Sequence, residues 1–384
     1  MDYLLTDEQI ELRNLARKVA REKIKPIAAE CDREGRFPWE IVELFRELDF
    51  FRIIVPEEYG GISGKSLDVC IVTEELSRAC GGIALCLAAT ALGSYPIILD
   101  GTEEQKRKYL PRIANGEILT GFGLTESSAG SDAAAIKTTA RREGNYYILN
   151  GTKQFITNGS VAKVYTVIAK TDPTKGTRGT SAFIVEEGYE GFSYGKKEDK
   201  MGIRASVTSE LVFDNCKVPV ENRIGAEGQG FIVAMRTLDK ARPGVAAQAV
   251  GIAQGAFDLA LEYIRTREQF GQTLSTFQGL QFMIAEMATK IEAARALIYA
   301  TARMVDAGVR NISKECAMCK LLASDVAMEV TTKAVQLFGG YGYMRDYPIE
   351  KFMRDAKITQ IYEGTNEIQK VVIARRLIKE GASK

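Results

Sequence analysis

The apolar residues change their spacing twice along this chain, and this change limits the folds that the sequence can adopt. Residues 1–120 follow the 3.6-residue period of amphipathic helices. Residues 121–229 contain short runs rich in Tyr, Val, Ile and Phe, and residues 230–384 return to the helical period. The sequence therefore predicts an α+β protein with an N-terminal helical domain, a middle β domain and a C-terminal helical domain.

Several segments of the two terminal domains have a clear helical period. The predicted helices are Asp7–Cys31, Trp39–Leu48, Ser66–Arg78, Glu103–Asn115, 231–265, 278–308 and 313–337. Small residues are frequent in the last two helices, which allows close packing in a bundle or at a subunit interface.

The stretch Gly81–Leu99 carries no charge and is long enough to cross a bilayer. Its three glycines, its proline and its hydroxyl groups instead favour a buried core helix that ends near Pro96. The first residues lack the basic and apolar regions of a signal peptide. We therefore expect a cytoplasmic protein without a membrane span.

The middle domain contains four segments with strand character. The predicted strands are Tyr146–Leu149, Val164–Ala169, Ser181–Val185 and Val207–Phe213. The pairs Asn150-Gly151 and Asn158-Gly159 are typical of hairpin turns, and 171–179 is a polar connector.

The chain contains no histidine, which excludes Ser-His-Asp and Cys-His catalytic sites and imidazole metal ligands. A Glu in an apolar pocket is then the natural general base, because burial raises its pKa. The net charge of +1 suggests no nucleic-acid partner. Seven irregularly spaced cysteines, including the pair Cys316 and Cys319, favour buried thiols over disulfides or a metal site.

Two segments near the start of the β domain could hold a polar ligand. In 122–132 (FGLTESSAGSD), hydroxyl groups and glycines could surround a ligand with hydrogen-bond donors, although a helix-capping linker has the same composition. In 153–159 (KQFITNG), Phe155 and Thr157 alternate along the start of a strand, where they could stack on and bind a flat cofactor. Packing in the core is the alternative for Phe155.

Two further regions lie in the helical C-terminal part. In 267–278 (REQFGQTLSTFQ), Arg267 could bind a phosphate or could lie on a solvated turn. The segments 336–343 (QLFGGYGY) and 361–369 (IYEGTNEIQ) contain glycines that let the backbone approach a ligand. Glu363 follows two apolar residues there and could be a desolvated base.

Together and in this order, LTESSAGSD, KQFITNG, REQFGQTLSTFQ, QLFGGYGY and IYEGTNEIQ resemble motifs of the acyl-CoA dehydrogenase family of flavoproteins. The resemblance covers nearly the whole chain. It implies an N-terminal helical domain, a middle β-barrel or β-sandwich domain and a C-terminal four-helix bundle. It also implies a homotetramer built as a dimer of dimers.

The resemblance further implies FAD as the cofactor, with part of its site completed by a neighbouring subunit. The positions that match cofactor-binding residues of the family are Phe122, Leu124, Thr125, Gly130, Ser131, Phe155, Ile156, Thr157, Arg267, Gln269, Phe270, Phe277, Gln278, Gln336, Gly339, Gly340, Gly364, Thr365 and Glu367. Phe155 replaces the tryptophan of many members, which affects the expected flavin potential rather than the reaction.

By the same resemblance Glu363 matches the catalytic base. Some relatives carry the base near the position of Ala241, whose side chain cannot accept a proton here. The positions that match substrate-binding residues are Ser131, Asp239, Arg242, Tyr362 and Gly364. The implied reaction is α,β-dehydrogenation of a short- to medium-chain acyl-CoA to a trans-2-enoyl-CoA, with electrons passing to electron-transfer flavoprotein.

Several alternatives stay open from the sequence. Other segments resemble bacterial members that act on alicyclic substrates such as cyclohexanecarbonyl-CoA. An acyl-CoA oxidase would use the same fold and base but would react with oxygen, and its chain is usually longer. A helical scaffold without catalysis would have no need of Glu363, Arg267 or the glycine turns.

Overall fold

The computed structural model describes residues 3–381, so the outermost residues of the predicted first and last domains lie outside the described part. The N-terminal helices are α1 (Asp7–Val19), α2 (Lys25–Glu34), α3 (Trp39–Glu47), α4 (Ser66–Ser77), α5 (Gly81–Asp100) and α6 (Glu103–Ala114). A π-helical segment, Ala20–Ile24, joins α1 to α2 where the sequence predicts one continuous helix. Side-chain caps explain where α1 and α6 begin, since Thr6 and Thr102 each form a capping box with a glutamine three residues later.

The prediction that the fifth helix ends near Pro96 is wrong. Helix α5 continues through Pro96 to Asp100, although proline removes one hydrogen bond from a helix interior. Nearly the whole helix is buried, including Tyr95 and Ile97 on either side of the proline, so packing outweighs the lost bond. The burial of α5 inside the protein is typical of a core helix.

The middle of the chain forms one mixed sheet. Its strands are β1 (Thr120–Gly123), β2 (Thr139–Glu143), β3 (Tyr146–Thr157), β4 (Val164–Lys170), β5 (Thr180–Glu186), β6 (Phe192–Lys197), β7 (Thr208–Pro219) and β8 (Arg223–Ile224). They are ordered β6-β7-β3-β2-β4-β5-β8, and β1 pairs in parallel with β4. The sequence prediction missed β1, β2, β6 and β8, because these short strands carry few apolar residues.

The turn predicted at Asn150-Gly151 is wrong, because both residues lie inside β3. The pairing of β3 with β7 shifts register there, and Gly151 has a φ of +145°. A Cβ atom at Gly151 would lie 2.5 Å from the Thr138 hydroxyl oxygen, so glycine allows this bulge. Asn158 and Gly159 do form a turn, but no hairpin results because β3 pairs with β2 and β7 rather than with β4.

The C-terminal part is helical, with a small β-hairpin after its first helix. Its elements are α7 (Gly230–Thr266), β9 (Glu268–Gln269), β10 (Gln272–Thr273), α8 (Gln278–Asp306), α9 (Ser313–Phe338), α10 (Ile349–Thr359) and α11 (Asn366–Gly381). Small residues allow close packing here. A Cβ atom at Gly251 of α7 would lie 2.2 Å from the Glu74 carbonyl oxygen of α4, so the two helices approach each other through this glycine.

Two apolar cores hold these elements together. The larger core joins the N-terminal helices to the sheet, and the other lies among α4, α7, α8, α9 and α10. Helix α7 contributes to both cores through Val233 and Val250. The functional site described next lies where α5, the sheet, α7 and the loop between α10 and α11 meet.

Candidate functional site

A cavity of about 350 Å³ opens between these four elements, which is a size typical of small-molecule sites. Twelve of the residues singled out from the sequence line it. They are Phe122, Leu124, Thr125, Gly130, Ser131, Phe155, Ile156, Thr157, Arg242, Tyr362, Glu363 and Gly364. Segments from Phe122 to Gly364, which are far apart in the sequence, therefore form one site.

The remainder of the cavity wall is mostly apolar. Helices α5 and α7 contribute Leu92, Tyr95, Met235, Leu238 and Ala241, among others. Tyr95 is 4% exposed. These side chains surround Glu363 with a low-dielectric wall, and Ala241 offers no second proton acceptor on α7.

Glu363 is a buried carboxyl group at the wall of the cavity. Its Oε2 atom is buried and has no hydrogen-bond partner among residues 3–381. Loss of solvent raises the pKa of Glu363 to about 7, although the positive charges of Arg242 and Lys320 act in the opposite direction. A carboxyl group with this pKa can exchange a proton near neutral pH.

The backbone at Glu363 forms a tight turn between α10 and α11. Both Glu363 (φ +52°) and Gly364 (φ +90°) are left-handed, a conformation that costs energy at Glu363. The Gln369 side chain compensates, because its Nε2 donates to the carbonyl oxygens of Glu363 (3.2 Å) and Gly364 (2.8 Å).

Tyr362 connects this turn to α7. Its hydroxyl group donates to Oε1 of Gln248, whose Nε2 in turn donates to the Gly81 carbonyl at 2.8 Å. Gln248 is fully buried. The turn with Glu363 is thus fixed to α7 and to the start of α5.

Arg242 and Asp239 lie one turn apart on α7, as the sequence predicts. Nη1 of Arg242 donates to Oδ1 of Asp239 at 2.6 Å, and the Ser313 hydroxyl donates to Oδ2. Arg242 is only 4% exposed, and its Nε has no partner within the described part of the chain. A buried guanidinium with a free donor at the cavity is suited to bind an acceptor on a ligand.

A buried ion pair holds the hydroxyl-rich loop 122–132. Lys153 is fully buried on β3, and its Nζ donates to Oε1 of Glu126 (2.7 Å) and to the Leu124 carbonyl (3.1 Å). Glu126 also accepts from the backbone N–H groups of Lys137 (2.6 Å) and Thr138 (2.9 Å). The loop is therefore a built part of the cavity wall rather than a helix-capping linker.

Phe155 lies near the end of β3 and not at a strand start, which corrects the expectation from the sequence. It has a φ of +60° at a shift of register between β3 and β7. The ring lines the cavity and is 58% exposed. Core packing therefore does not account for Phe155.

The residues singled out between 267 and 340 do not reach this cavity. Arg267, Gln269, Gln336, Gly339 and Gly340 line a second, more open cavity at the far end of α7. The Arg267 guanidinium lies 5.5 Å from the centre of the Tyr341 ring. The remaining predicted positions line neither cavity; they are Asp239, Phe270, Phe277, Gln278, Thr365 and Glu367.

Sequence reasoning missed the polar residues that support Glu363 from behind. Lys320, Gln369 and Gln248 are all fully buried. A lysine or glutamine on a helix is usually solvated, so the sequence did not indicate their burial. Gln369 and Lys153 lie inside segments that were singled out, 361–369 and 153–159, but neither was expected to be buried.

Comparison with known proteins gives a consistent result along the chain. Family models described as the N-terminal, middle and C-terminal domains of acyl-CoA dehydrogenase match residues 6–117, 121–216 and 228–378. The short-chain-specific acyl-CoA dehydrogenase of Clostridium acetobutylicum is 52% identical, and the alignment covers 99% of this chain and 100% of that protein.

Two solved structures have nearly the same fold. The butyryl-CoA dehydrogenase of Megasphaera elsdenii is 47% identical, with a TM-score of 0.96 over 98% of this chain and 100% of that one. A chain in a structure of the electron transferring flavoprotein of Acidaminococcus fermentans is 51% identical. It has a TM-score of 0.96 over 98% of this chain and 99% of that one.

Proposed function

Because this chain belongs to the acyl-CoA dehydrogenase family, we propose that it dehydrogenates a short- to medium-chain acyl-CoA to the trans-2-enoyl-CoA. Electron-transfer flavoprotein is the proposed electron acceptor, in keeping with the similarity to a chain in a structure of that protein. The observation that carries the proposal is the Glu363 carboxylate at the wall of the cavity, with a buried Oε2 atom that has no hydrogen-bond partner in the described part of the chain.

Glu363 is the proposed base. An α C–H bond beside a thioester is a weak acid, so its removal requires a base with a pKa near the working pH. Burial supplies this pKa, and the free Oε2 atom is not already engaged in a hydrogen bond. The proton moves from the α carbon of the substrate to the Glu363 carboxylate, and negative charge develops on the thioester oxygen.

We assign part of the stabilisation of that charge to the backbone N–H of Glu363. The left-handed turn fixes the orientation of this peptide, and the bonds from Gln369 hold the turn in place. A donor that is oriented before the reaction needs no reorganisation as charge develops. The apolar side chains of α5 and α7 exclude water, which strengthens the interaction.

The cavity also has the composition that FAD requires. The aromatic rings of Phe122 and Phe155 and the hydroxyl groups of Thr125, Ser131 and Thr157 line one part of it, which suits a flat heteroaromatic ring with polar edges. A Cβ atom added at Gly130 would meet open space, so the backbone there leaves room for a ligand. When bound, FAD supplies the acceptor for the hydride from the β carbon.

Arg242 is the proposed anchor for the CoA part of the substrate. Its Nε donor is free, and Asp239 holds the guanidinium at the cavity. The acyl chain would then lie among the apolar residues of α5 and α7, where Tyr95 limits its length. Straight chains of short or medium length fit this arrangement.

We further propose that a second copy of the chain completes the cofactor site, within a homotetramer. The second cavity holds Arg267, a cation suited to phosphate. Beside it, Phe270 is 94% exposed and Tyr343 is 83% exposed, which is unusual for large apolar side chains outside an interface.

We also propose a cytoplasmic location. The seven cysteines form no disulfide bonds, in keeping with the reducing cytoplasm.

Anaerobic reduction of the flavin by a panel of thioesters tests the proposal. We expect butyryl- or hexanoyl-CoA to bleach the flavin band faster than octanoyl-, isovaleryl-, glutaryl- or cyclohexanecarbonyl-CoA. Fast bleaching by cyclohexanecarbonyl-CoA alone would replace the straight-chain assignment by the alicyclic one. A yellow protein that no acyl-CoA reduces would contradict the proposed reaction, and rapid peroxide formation in air would indicate an oxidase.

A further inference from the structure

A lysine without any solvent contact lies directly behind the turn that carries Glu363. Lys320 of α9 is 0% exposed. Its Nζ donates to the carbonyl oxygen of Gly364 and to Oδ1 of Asn366, both at 2.9 Å. Removing a lysine from water is costly, so a fully buried ammonium group that bonds the turn beside the proposed base calls for a functional explanation.

A network around Asn366 makes this contact rigid. Asn366 begins α11, and its Nδ2 donates to the Ser324 hydroxyl (2.9 Å) and to Oδ1 of Asp325 (2.7 Å). Its Oδ1 accepts from both Lys320 and Ser324. Three side chains on two successive turns of α9 therefore hold the residues that follow Glu363, and this support keeps the left-handed backbone of Glu363 in place.

We propose that Lys320 is a positioning residue for the base Glu363, one that fixes the turn and keeps the Glu363 carboxylate ionised. The proposal rests on the proposed function of Glu363. Lys320 does not line the cavity, so it acts through the turn and through its charge, without contact with the substrate.

Two cations on different helices face Glu363. Arg242 on α7 and Lys320 on α9 both lower the pKa of Glu363, against the larger effect of burial. The other titratable groups nearby are Tyr95 on α5 and Tyr362 beside it. These phenols are neutral near pH 7 because burial raises both pKa values, so the two cations determine the charge balance at Glu363.

The charge on Lys320 is itself supported by its surroundings. Burial, the largest effect, and the charge of Arg242 lower the pKa of Lys320 to about 8, while Glu363, Asp325 and Glu367 act in the opposite direction. Lys320 is therefore mostly protonated at neutral pH. The two groups are coupled: Lys320 lowers the pKa of Glu363, and Glu363 raises the pKa of Lys320, so each favours the charged form of the other.

The test is the pH profile of kcat for the purified holoenzyme with butyryl-CoA. Lys320→Met removes the charge and the donor at similar volume, and we expect the acid limb of kcat to move by about one pH unit toward higher pH. Lys320→Gln retains a donor but no charge, and we expect the same displacement with a smaller loss of kcat at high pH. KM should change less than kcat in both variants, because Lys320 does not touch the substrate.

Ser324→Ala is the matched control. It removes a hydrogen bond to the same Asn366 without changing any charge, so the acid limb should stay in place. An unmoved limb in both Lys320 variants would overturn the proposal, as would an equal displacement in Ser324→Ala. Failure of both Lys320 variants to fold would show a purely structural role and would also overturn it. A wild-type enzyme that reduces no acyl-CoA contradicts the proposed function instead.

Discussion

Nη1 of Arg242 lies 2.6 Å from Oδ1 of Asp239, and this ion pair places a buried positive charge at the cavity beside Glu363. The same guanidinium therefore has two roles. Its free Nε donor is proposed to bind the CoA part of a substrate, and its charge favours the ionised form of Glu363, the proposed base.

Replacement of Arg242 should change both binding and pH dependence. We expect Arg242→Ala to lower kcat/KM by about tenfold to a hundredfold, which corresponds to about 1.4 to 2.7 kcal/mol of transition-state binding. The reason is the loss of a buried, hydrogen-bonded charge. The acid limb of kcat should move to higher pH. Arg242→Lys should retain the position of the limb, and Arg236→Ala, on the half-exposed part of the same helix, should retain normal kinetics. Steady-state kinetics with butyryl-CoA between about pH 5.5 and 9 measure kcat/KM and the position of the acid limb of kcat, and an unmoved limb in Arg242→Ala would contradict the prediction.

Burial of Glu363 should destabilise the protein at high pH. The pKa of Glu363 is raised from 4.5 to about 7 on folding, so between these values the folded protein binds more protons than the unfolded chain. The free energy of unfolding should therefore fall by about 2 to 3 kcal/mol as pH rises from 4.5 to 7. Glu363→Gln lacks this loss, and its advantage over the wild type should grow across that window. Urea unfolding of both holoenzymes at fixed protein concentration measures it, and a pH-independent difference would contradict the assigned burial.

The ion pair between Lys153 and Glu126 should support the cofactor loop. We expect Lys153→Met to lower stability by about 3 to 5 kcal/mol, because it leaves a buried carboxylate without its partner. The flavin content after gel filtration should fall in parallel. The double variant Lys153→Met/Glu126→Gln should recover part of the stability. Equal stability of the single and double variants would show that the pair is not coupled.

Arg267 should connect flavin retention to assembly. If its guanidinium binds the cofactor of a second copy, Arg267→Ala loses flavin and shifts the molecular mass toward smaller species. Arg141→Ala, an exposed arginine on β2 that pairs with Glu143, is the control for loss of charge. Light scattering combined with the absorbance of bound flavin measures both quantities, and full flavin content in an unchanged assembly would refute this role.

The strength of the local pattern explains which parts of the fold could be predicted. Long helices such as α7 and α9 have many apolar residues in phase, and their ends were predicted to within a few residues. The short strands β2 and β6 carry exposed polar residues, and they are recognised only by their pairing with the next strands, β3 and β7. Pro96 stays helical because of tertiary packing, which a local rule cannot include.

In the site, too, local sequence patterns could be read, but features that depend on tertiary contacts could not. Glu363 could be predicted because the chain has no histidine, and because the residue stands between apolar residues and a glycine turn within a family motif. Lys320 and Gln369 could not, since their importance comes from burial behind a turn that is formed by a different part of the chain. Sequence motifs thus identify the groups that face the cavity, and the structure is needed to find those that hold them.

Anaerobic flavin reduction by butyryl-CoA in Glu363→Gln tests whether Glu363 is the base. If it is, this variant retains FAD and binds acyl-CoA, while the rate of flavin reduction falls by about a hundredfold to ten-thousandfold. Glu190→Gln, at an exposed carboxylate, should reduce its flavin at the wild-type rate. Flavin reduction in Glu363→Gln at close to the wild-type rate would show that Glu363 is not the base and would place the base elsewhere.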